Sequence, residues 1–589
     1  MATNLIQRFH FNGGRWPAAV VLALILLSGT LLRLDHLDSK SLTHPEAYVP
    51  GIELPDGISE PPPRVKLYPL IWWHFHGEPH PQGYYFMMWV WTKLFGTSLY
   101  ALRLPSVLFG IGSIMLIFWV AALLYDHKVG LLSAAFLAFN GHQIYWSQMA
   151  RMYSMACFLG LLSTLLWLQL LRDSEKRPLR EALYVAVGVL GVFTEILFWP
   201  FLAAQILWTT LRRGPSERTA SRMLTIQALT VIIGSPVWAH AIYQSRPSPL
   251  EHPSWAFLRE FLSFGFLFER DLESYPVRNI PAIGRLFLVI FAAICIGRAL
   301  SDRGHKLVSA SSCGGLRVRH LLPVAAGAVA MILTMASVAW RRRWQMSLTT
   351  IVPIAAVFLP SSLSRAWQFV EPKLEKAKEY LSLQSGWHSP FLLLAFLPPV
   401  IVFLVSLGNS VIASRLFLLF TPYLLIVIAV GLRNLVRRPF RSLFIGIASV
   451  LVAIHFLSIV YYRNRPSDVI DYQDLAQKII AYSKENDLIF VHERSWITTP
   501  TFYYLKKKEG QLVAGNFQDA VAHHPDSRIW LIQCGGLPPT DEMQAALTGL
   551  HLQERVESRR SVALLYVRPD PQFTSLPSPN SVTAAAKFR

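Results

Sequence analysis

Apolar runs of about 17–22 residues recur along this chain from Pro17 to Tyr462, and each matches the thickness of a bilayer's hydrocarbon core. The sequence is 53% hydrophobic and only 15% charged, and a soluble chain of this length carries far more charge. The pattern predicts an α-helical polytopic membrane protein.

The expected spans are Pro17 to Leu34, Leu102 to Leu124, Val129 to Tyr145, Ser154 to Leu171, and a broken pair within Leu183 to Leu211. Leu224 to Ile242, Arg285 to Ile296, Leu321 to Trp340, Ser347 to Pro360, Pro390 to Val405, Val411 to Leu432 and Leu443 to Tyr461 follow. That makes about thirteen crossings. The first run follows Arg8 and Arg15 and lacks a small-residue cleavage site, so it reads as an uncleaved helix.

Parity tests this list, because each crossing flips the side of the next loop. With the N-terminus cytoplasmic, the basic loops Arg172 to Arg180, Arg212 to Arg222, Arg298 to Arg319 and Arg433 to Arg441 all fall inside. The aromatic stretch Tyr84 to Phe95 must then lie along the interface, and Arg341 to Arg343 alone falls on the unexpected side. The same count places Asp35 to Gln82, Trp146 to Tyr153, Tyr243 to Pro281 and Leu407 to Arg415 outside the cytoplasm.

The formal charge of +19 is thus distributed as a positive-inside protein requires, in short clusters between apolar runs, and does not point to nucleic acid. The four cysteines, Cys157, Cys295, Cys313 and Cys534, have neither zinc-like spacing nor the density of a disulfide framework. No Gly-rich phosphate loop is present, which argues against a soluble nucleotide sugar or ATP. His74, His76 and His80 are near one another without metal-ligand spacing, so no metal and no other cofactor is expected.

After Tyr462 the composition becomes that of a soluble protein. Asp468 to Lys484 and Thr499 to Lys507 read as helices, and Asp487 to Val491, Arg528 to Gln533 and Val562 to Val567 as strands. The expected organisation is a membrane domain over 1–462, an extracytoplasmic soluble α/β domain over 463–568, and a Pro-, Ser- and Ala-rich disordered tail over 569–589.

The first external loop, 35–82, is far longer than an ordinary connection, and long loops are usually functional or disordered. Trp72, Trp73, Phe75 and many prolines argue against disorder. The loop also carries Asp35, Asp38, Glu46, Glu53, Asp56, Glu60 and Glu78, any of which is either simply solvated or a general base toward an acceptor.

Arg33-Leu34-Asp35, Leu42-Thr43-His44-Pro45-Glu46-Ala47-Tyr48 and Glu78-Pro79-His80-Pro81-Gln82-Gly83-Tyr84-Tyr85 together resemble the first loop of GT-C glycosyltransferases. The kinship is with the protein O-mannosyltransferase and aminoarabinose transferase type. Phe95-Gly96-Thr97-Ser98, Arg103-Leu104-Pro105-Ser106, Ser147 to Tyr153, and Ser414-Arg415-Leu416-Phe417 leading to Thr421-Pro422-Tyr423 resemble further signatures of that superfamily. Where the family has an Asp-Glu pair this chain has Pro45-Glu46, so Glu46 is the first candidate for the base, with Asp38 and Asp35 behind it.

The resemblance implies a sugar taken from a polyprenyl-phosphate carrier by direct displacement, with inversion, on the extracytoplasmic face. Such a reaction needs a cation for the departing phosphate. Arg415 and Arg151, at outer helix ends and on family signatures, are the first candidates and Arg103 the third; snorkelling to the interface is the alternative role for each. His80, Tyr84, Tyr153 and Glu195 are expected to line the site, although tyrosines also anchor at interfaces, His80-Pro81 also makes a rigid turn, and a glutamate also caps a broken helix. The expected partners are the lipid-linked donor, a glycan, lipid or protein acceptor, and membrane lipid, at a bacterial inner membrane. A transporter or flippase of lipid-linked saccharides, or an assembly partner for a polysaccharide machine, is the competing reading. The former predicts inverted repeats, and none is evident.

Overall fold

In the computed structural model the described residues are 15–52, 54, 80–173, 175–211, 217–237, 390–406, 414–436, 441–464, 470–492, 495–513, 516–535 and 538–569. They fall into two compact units, 1–37 with 66–465 and 38–65 with 466–589. The expected spans Arg285 to Ile296, Leu321 to Trp340 and Ser347 to Pro360, and the tail 570–589, lie outside the described residues.

The first unit is helical: α1 Arg15–Leu34, then, after α2 His44–Ala47 of the second unit, α3 Gly83–Phe95, α4 Leu99–Leu124, α5 His127–Ala138, α6 Gly141–Ser147, α7 Tyr153–Arg172, α8 Pro178–Thr194, α9 Phe198–Leu211, α10 Glu217–Gly234 and α11 Pro390–Ser406. A 3₁₀ turn, Ser414–Leu419, leads into α12 Thr421–Leu435, and α13 Arg441–Asn464 closes the unit. Three of these, Leu99–Leu124, Tyr153–Arg172 and Phe444–Asn464, are each long and apolar enough to cross a bilayer alone. The chain is therefore a multi-pass membrane protein.

Two spans differ from expectation. Val129 to Tyr145 is divided, because Asn140 ends one helix and caps the next by accepting from the Gln143 N–H at 3.0 Å. Val411 to Leu432 is likewise a 3₁₀ turn followed by α12, with Pro422 in that helix's first turn. The break expected inside Leu183 to Leu211 is present at residues 195–197.

Helix ends sort into two sets. At one, Arg433 pairs with Asp126 at 2.5 Å, Arg222 donates to Leu170 O and Asp173 O, and Arg172 donates to Leu123 O. These are the basic connections expected inside. At the other, Gln148 Nε2 donates to the carbonyls of Leu32, Arg33 and Asp35, and Arg103 Nη1 donates to Leu37 O at 2.9 Å. Arg33, 1% exposed, caps the C-terminus of α5 through Leu137 O and Ala138 O at 3.1 Å. Gly110 on α4 makes that possible, since a Cβ there would stand 2.9 Å from Arg33 Nε and 2.5 Å from Ser147 Oγ.

Polar side chains between the helices are paired with one another. Tyr184 donates to Gln205 Oε1 at 2.7 Å, Trp167 to Thr209 at 3.0 Å, and the Thr164 and Tyr423 hydroxyls meet at 2.9 Å. Interhelical hydrogen bonds of this kind supply cohesion where lipid removes the hydrophobic contrast.

The second unit holds α14 Tyr472–Tyr482, β1 Leu488–His492, α15 Ser495–Leu505, α16 Phe517–His523, β2 Ile529–Cys534, α17 Asp541–Ala546, β3 His551–Ser558 and β4 Ser561–Val567. Its sheet runs β1-β2-β4-β3, with β1 parallel to β2 and the other pairs antiparallel. Ile489, Val491, Trp530, Ile532 and Leu565 pack one face against Leu475, Ile479 and Leu505 of α14 and α15. Phe490, Ile529 and Leu531 pack the other against Phe517, Val521 and Leu547. Asp487 ties the sheet's start together, accepting from Arg528, from Trp530 Nε1 at 2.9 Å and from Lys484 N at 2.9 Å.

The first external loop contributes to this same unit. Leu42 N donates to Tyr504 Oη at 2.6 Å, Gln473 N to Ser41 Oγ at 3.2 Å, and Leu54 packs on the core around Trp530. The division expected at 462 is thus incomplete, because residues 38–65 fold with the C-terminal part.

Candidate functional site

The polar residues that converge at the second set of helix ends come from connections rather than helix interiors. The turn before α3 supplies His80, and the first turn of α3 supplies Tyr84 and Tyr85. The link between α6 and α7 supplies Arg151, and the break between α8 and α9 supplies Glu195. Gly83 lets α3 begin against the end of α8; a Cβ there would lie 2.8 Å from Phe193 O.

Arg151 is the centre of this group. It is 7% exposed, its Nη1 donates to Tyr85 Oη at 2.9 Å, and its Nη2 meets His80 Nε2 at 3.4 Å. A guanidinium only donates, so that contact places the bare nitrogen of the imidazole at Nε2. The Arg151 carbonyl accepts from Ser106 Oγ at 3.3 Å, and Ser106 in turn meets Tyr84 Oη at 3.4 Å. Backbone and side chain of Arg151 are thereby both held.

Glu195 is 3% exposed and ends α8. Its Oε1 accepts only a long bond from Leu197 N at 3.5 Å, and among the described residues its Oε2 has no hydrogen-bond partner. Burial pushes this carboxyl above its ordinary range, while His80, the Leu197 N–H and Arg151 pull the other way. A cation held by hydroxyl and imidazole beside a buried carboxyl suits an anionic, hydroxyl-bearing substrate.

The other expected site residues divide. Tyr84 and Tyr153 are buried; Tyr84 packs edge-on against Tyr85, and Tyr153 edge-on against Trp146 at 4.8 Å. Arg103, 1% exposed, anchors the chain leaving α1 through Leu37 O. Arg415 is half-buried in the 3₁₀ turn, which packs on α7. Asp35 pairs with His36 at 2.6 Å and with Arg463 at 3.3 Å. Asp38 is exposed and belongs to the second unit.

Glu46 also belongs to the second unit. It is fully buried and forms a capping box on α2, its Oε2 accepting from Thr43 N at 2.9 Å and Thr43 Oγ1 at 3.1 Å. Thr-x-x-Glu ahead of a short helix is the capping signature, and it could have been read from Thr43 to Glu46 directly. Tyr85 and Ser106 are partners of Arg151 that the sequence does not announce, since nothing in their spacing points to a contact across 66 and 45 residues. No group of three His, Cys, Asp or Glu side chains able to hold a metal ion occurs among the described residues.

Residues 79–240 match the family described as dolichyl-phosphate-mannose-protein mannosyltransferase. Over these residues, and not over the whole chain, the sequence is similar to that family. The matched stretch contains His80, Tyr85, Arg151 and Glu195 together. No curated protein matches this sequence. Among solved structures, the apo ArnT of Cupriavidus metallidurans aligns at 10% identity and a TM-score of 0.43, over 93% of this chain and 98% of that one. The same enzyme bound to undecaprenyl phosphate aligns at 11% identity and 0.38, over 96% and 100%. The Archaeoglobus fulgidus oligosaccharyltransferase AglB, in complex with an inhibitory peptide and a dolichol-phosphate, aligns at 10% and 0.41, over 93% and 74%.

Proposed function

We propose that this chain is a membrane glycosyltransferase that moves one sugar from a polyprenyl-phosphate carrier to an acceptor hydroxyl or amine on the extracytoplasmic face, with inversion at the anomeric carbon. The observation that carries this reading is Arg151, buried and held by Tyr85 and His80 inside the stretch that matches the mannosyltransferase family.

Arg151 takes the donor phosphate, and its charge stabilises the negative charge that grows on the leaving oxygen as the sugar–phosphate bond breaks. Arg415, for which no hydrogen bond or ion pair occurs among the described residues, is the second cation offered to the same phosphate. The acceptor oxygen forms the new bond to the anomeric carbon and gives up its proton. Asp35 is assigned that proton: of the three candidate bases Glu46, Asp38 and Asp35 it is the one that shares a unit with Arg151, and Gln148, three residues before Arg151, holds its backbone carbonyl at 2.8 Å. Glu46 has its described contacts within the helix cap.

The test is incubation of the purified chain in nanodiscs with a panel of radiolabelled polyprenyl-phosphate sugars, native membranes supplying the acceptor. Release of label from one carrier, with opposite anomeric configuration in the product and loss of release in Asp35→Asn, supports the reading. Carriers left intact throughout the panel overturn it.

A further inference from the structure

A buried carboxyl oxygen without a hydrogen-bond partner is costly, and in folded proteins such groups are nearly always satisfied by protein, water or ligand. Glu195 Oε2 is one. The residue is 3% exposed and sits in the connection between two helices, where backbone demands do not require a carboxylate. Its neighbour across the site is the cation assigned to the donor phosphate. A helix-capping role for the side chain is weakly served, since the bond to its Oε1 from Leu197 N is at the 3.5 Å limit and the other backbone contact, with Ile196, leaves Oε2 without a partner among the described residues.

We infer that Glu195 accepts a hydroxyl of the donor sugar through Oε2 and so selects which sugar-bearing carrier is used. This rests on the transfer reading above and adds a division of labour to it. Arg151 recognises the phosphate common to every carrier, and Glu195 reads the group attached to it. A sugar hydroxyl is the partner assigned to Glu195, because a hydroxyl both donates and accepts and so satisfies Oε2 whether or not the carboxyl carries its proton. Sites that hydrogen-bond a substrate hydroxyl discriminate strongly against analogues lacking it, since the protein group is then left unpaired.

The experiment measures binding of sugar-free polyprenyl phosphate and of a panel of polyprenyl-phosphate hexoses and their monodeoxy analogues, using the full chain in nanodiscs. Wild type is expected to prefer one hexose carrier over one of its deoxy analogues. In Glu195→Ala that preference collapses by about tenfold or more, while affinity for the sugar-free carrier stays within about twofold. Glu195→Gln keeps an acceptor oxygen and the side-chain shape, so it serves in place of an alanine variant that fails to fold, and it is expected to retain part of the preference.

Equal weakening of sugar-free and sugar-bearing carriers in the Gln variant overturns the inference, as does unchanged discrimination. Wild type that binds sugar-free and every sugar-bearing carrier alike also overturns it, yet leaves phosphate recognition by Arg151 standing. Wild type that binds no carrier at all overturns the transfer reading and the inference together.

Discussion

Arg151 Nη1 and Tyr85 Oη are 2.9 Å apart, a bond that joins the link between α6 and α7 to the first turn of α3 across 66 residues of sequence. It fixes the guanidinium beside His80, while Ser106, itself met by Tyr84, holds the Arg151 backbone carbonyl. Removing the hydroxyl in Tyr85→Phe leaves the arginine in place but less well held. Loss of one hydrogen bond to a charged group is worth about 1.5–3 kcal/mol at most, so kcat/KM for the preferred donor is expected to fall about tenfold. Steady-state kinetics on the variant checks this; an unchanged kcat/KM shows that Tyr85 does not position Arg151.

Gly83 is the point at which α3 meets α8, and a side chain there meets the Phe193 carbonyl, a backbone group that does not move aside. Gly83→Val is expected to cost about 1–3 kcal/mol and to displace His80 and Tyr85 with the helix. The prediction is a lowered thermal midpoint together with weakened donor binding. Wild-type binding in a protein of lowered midpoint would separate α3 from the site.

Residues 38–52 of the first loop group with the C-terminal part, and Tyr504 is a contact that shows it. Tyr504→Phe leaves the buried Leu42 N–H without its 2.6 Å acceptor, at a cost of about 1–3 kcal/mol. Asp487→Ala, which strips Arg528, Trp530 and Lys484 N of a shared acceptor, is expected to cost about 3 kcal/mol or more. Proteolysis rates of residues 470–569 in the full chain measure both. Equal rates in wild type and Tyr504→Phe would detach the loop from this unit.

Cys534, on β2, reports the same unfolding chemically. Burial pushes its thiol up to about 11, with the Thr501 hydroxyl opposing. An acid whose folded value is raised stays protonated in the native state, so the nucleophilic thiolate is scarce at pH 8 and appears only as pH climbs toward 11. Alkylation at pH 8, located to Cys534 by mass spectrometry, is expected to be negligible in wild type and to follow the proteolysis rate in Asp487→Ala. Rapid labelling of native wild type at pH 8 would contradict the packing described.

How much of this was legible in the sequence differs by region for physical reasons. Among the described residues the helices Leu99–Leu124, Tyr153–Arg172 and Phe444–Asn464 follow directly from apolar length, and the break at Glu195 from a carboxylate flanked by apolar turns. The interruption at Asn140 was not seen, because the apolar run continues through it and only the cap chemistry of one side chain divides it. In the soluble unit β1, β2 and β4 were visible as apolar strands. The edge strand β3, His551–Ser558, was not, since it exposes most of its residues and its polar sequence lacks alternation. The site fared similarly. Arg151 and Glu195 stood out as charges at the ends of apolar runs, whereas the partners that hold Arg151 depend on contacts between distant helices. Glu46 was legible in identity but not in employment: buried carboxylates at Thr-x-x-Glu positions cap helices, and that local use competes with any catalytic one.

The central claim is that Arg151 takes the donor phosphate. It is tested most directly by measuring sugar transfer from the preferred polyprenyl-phosphate donor by wild type, Arg151→Lys and Arg151→Ala in nanodiscs. The account predicts that kcat/KM falls by about a hundredfold or more in Arg151→Ala, with part retained in Arg151→Lys, which keeps the charge but loses the fork. Transfer by Arg151→Ala at the wild-type rate would contradict it.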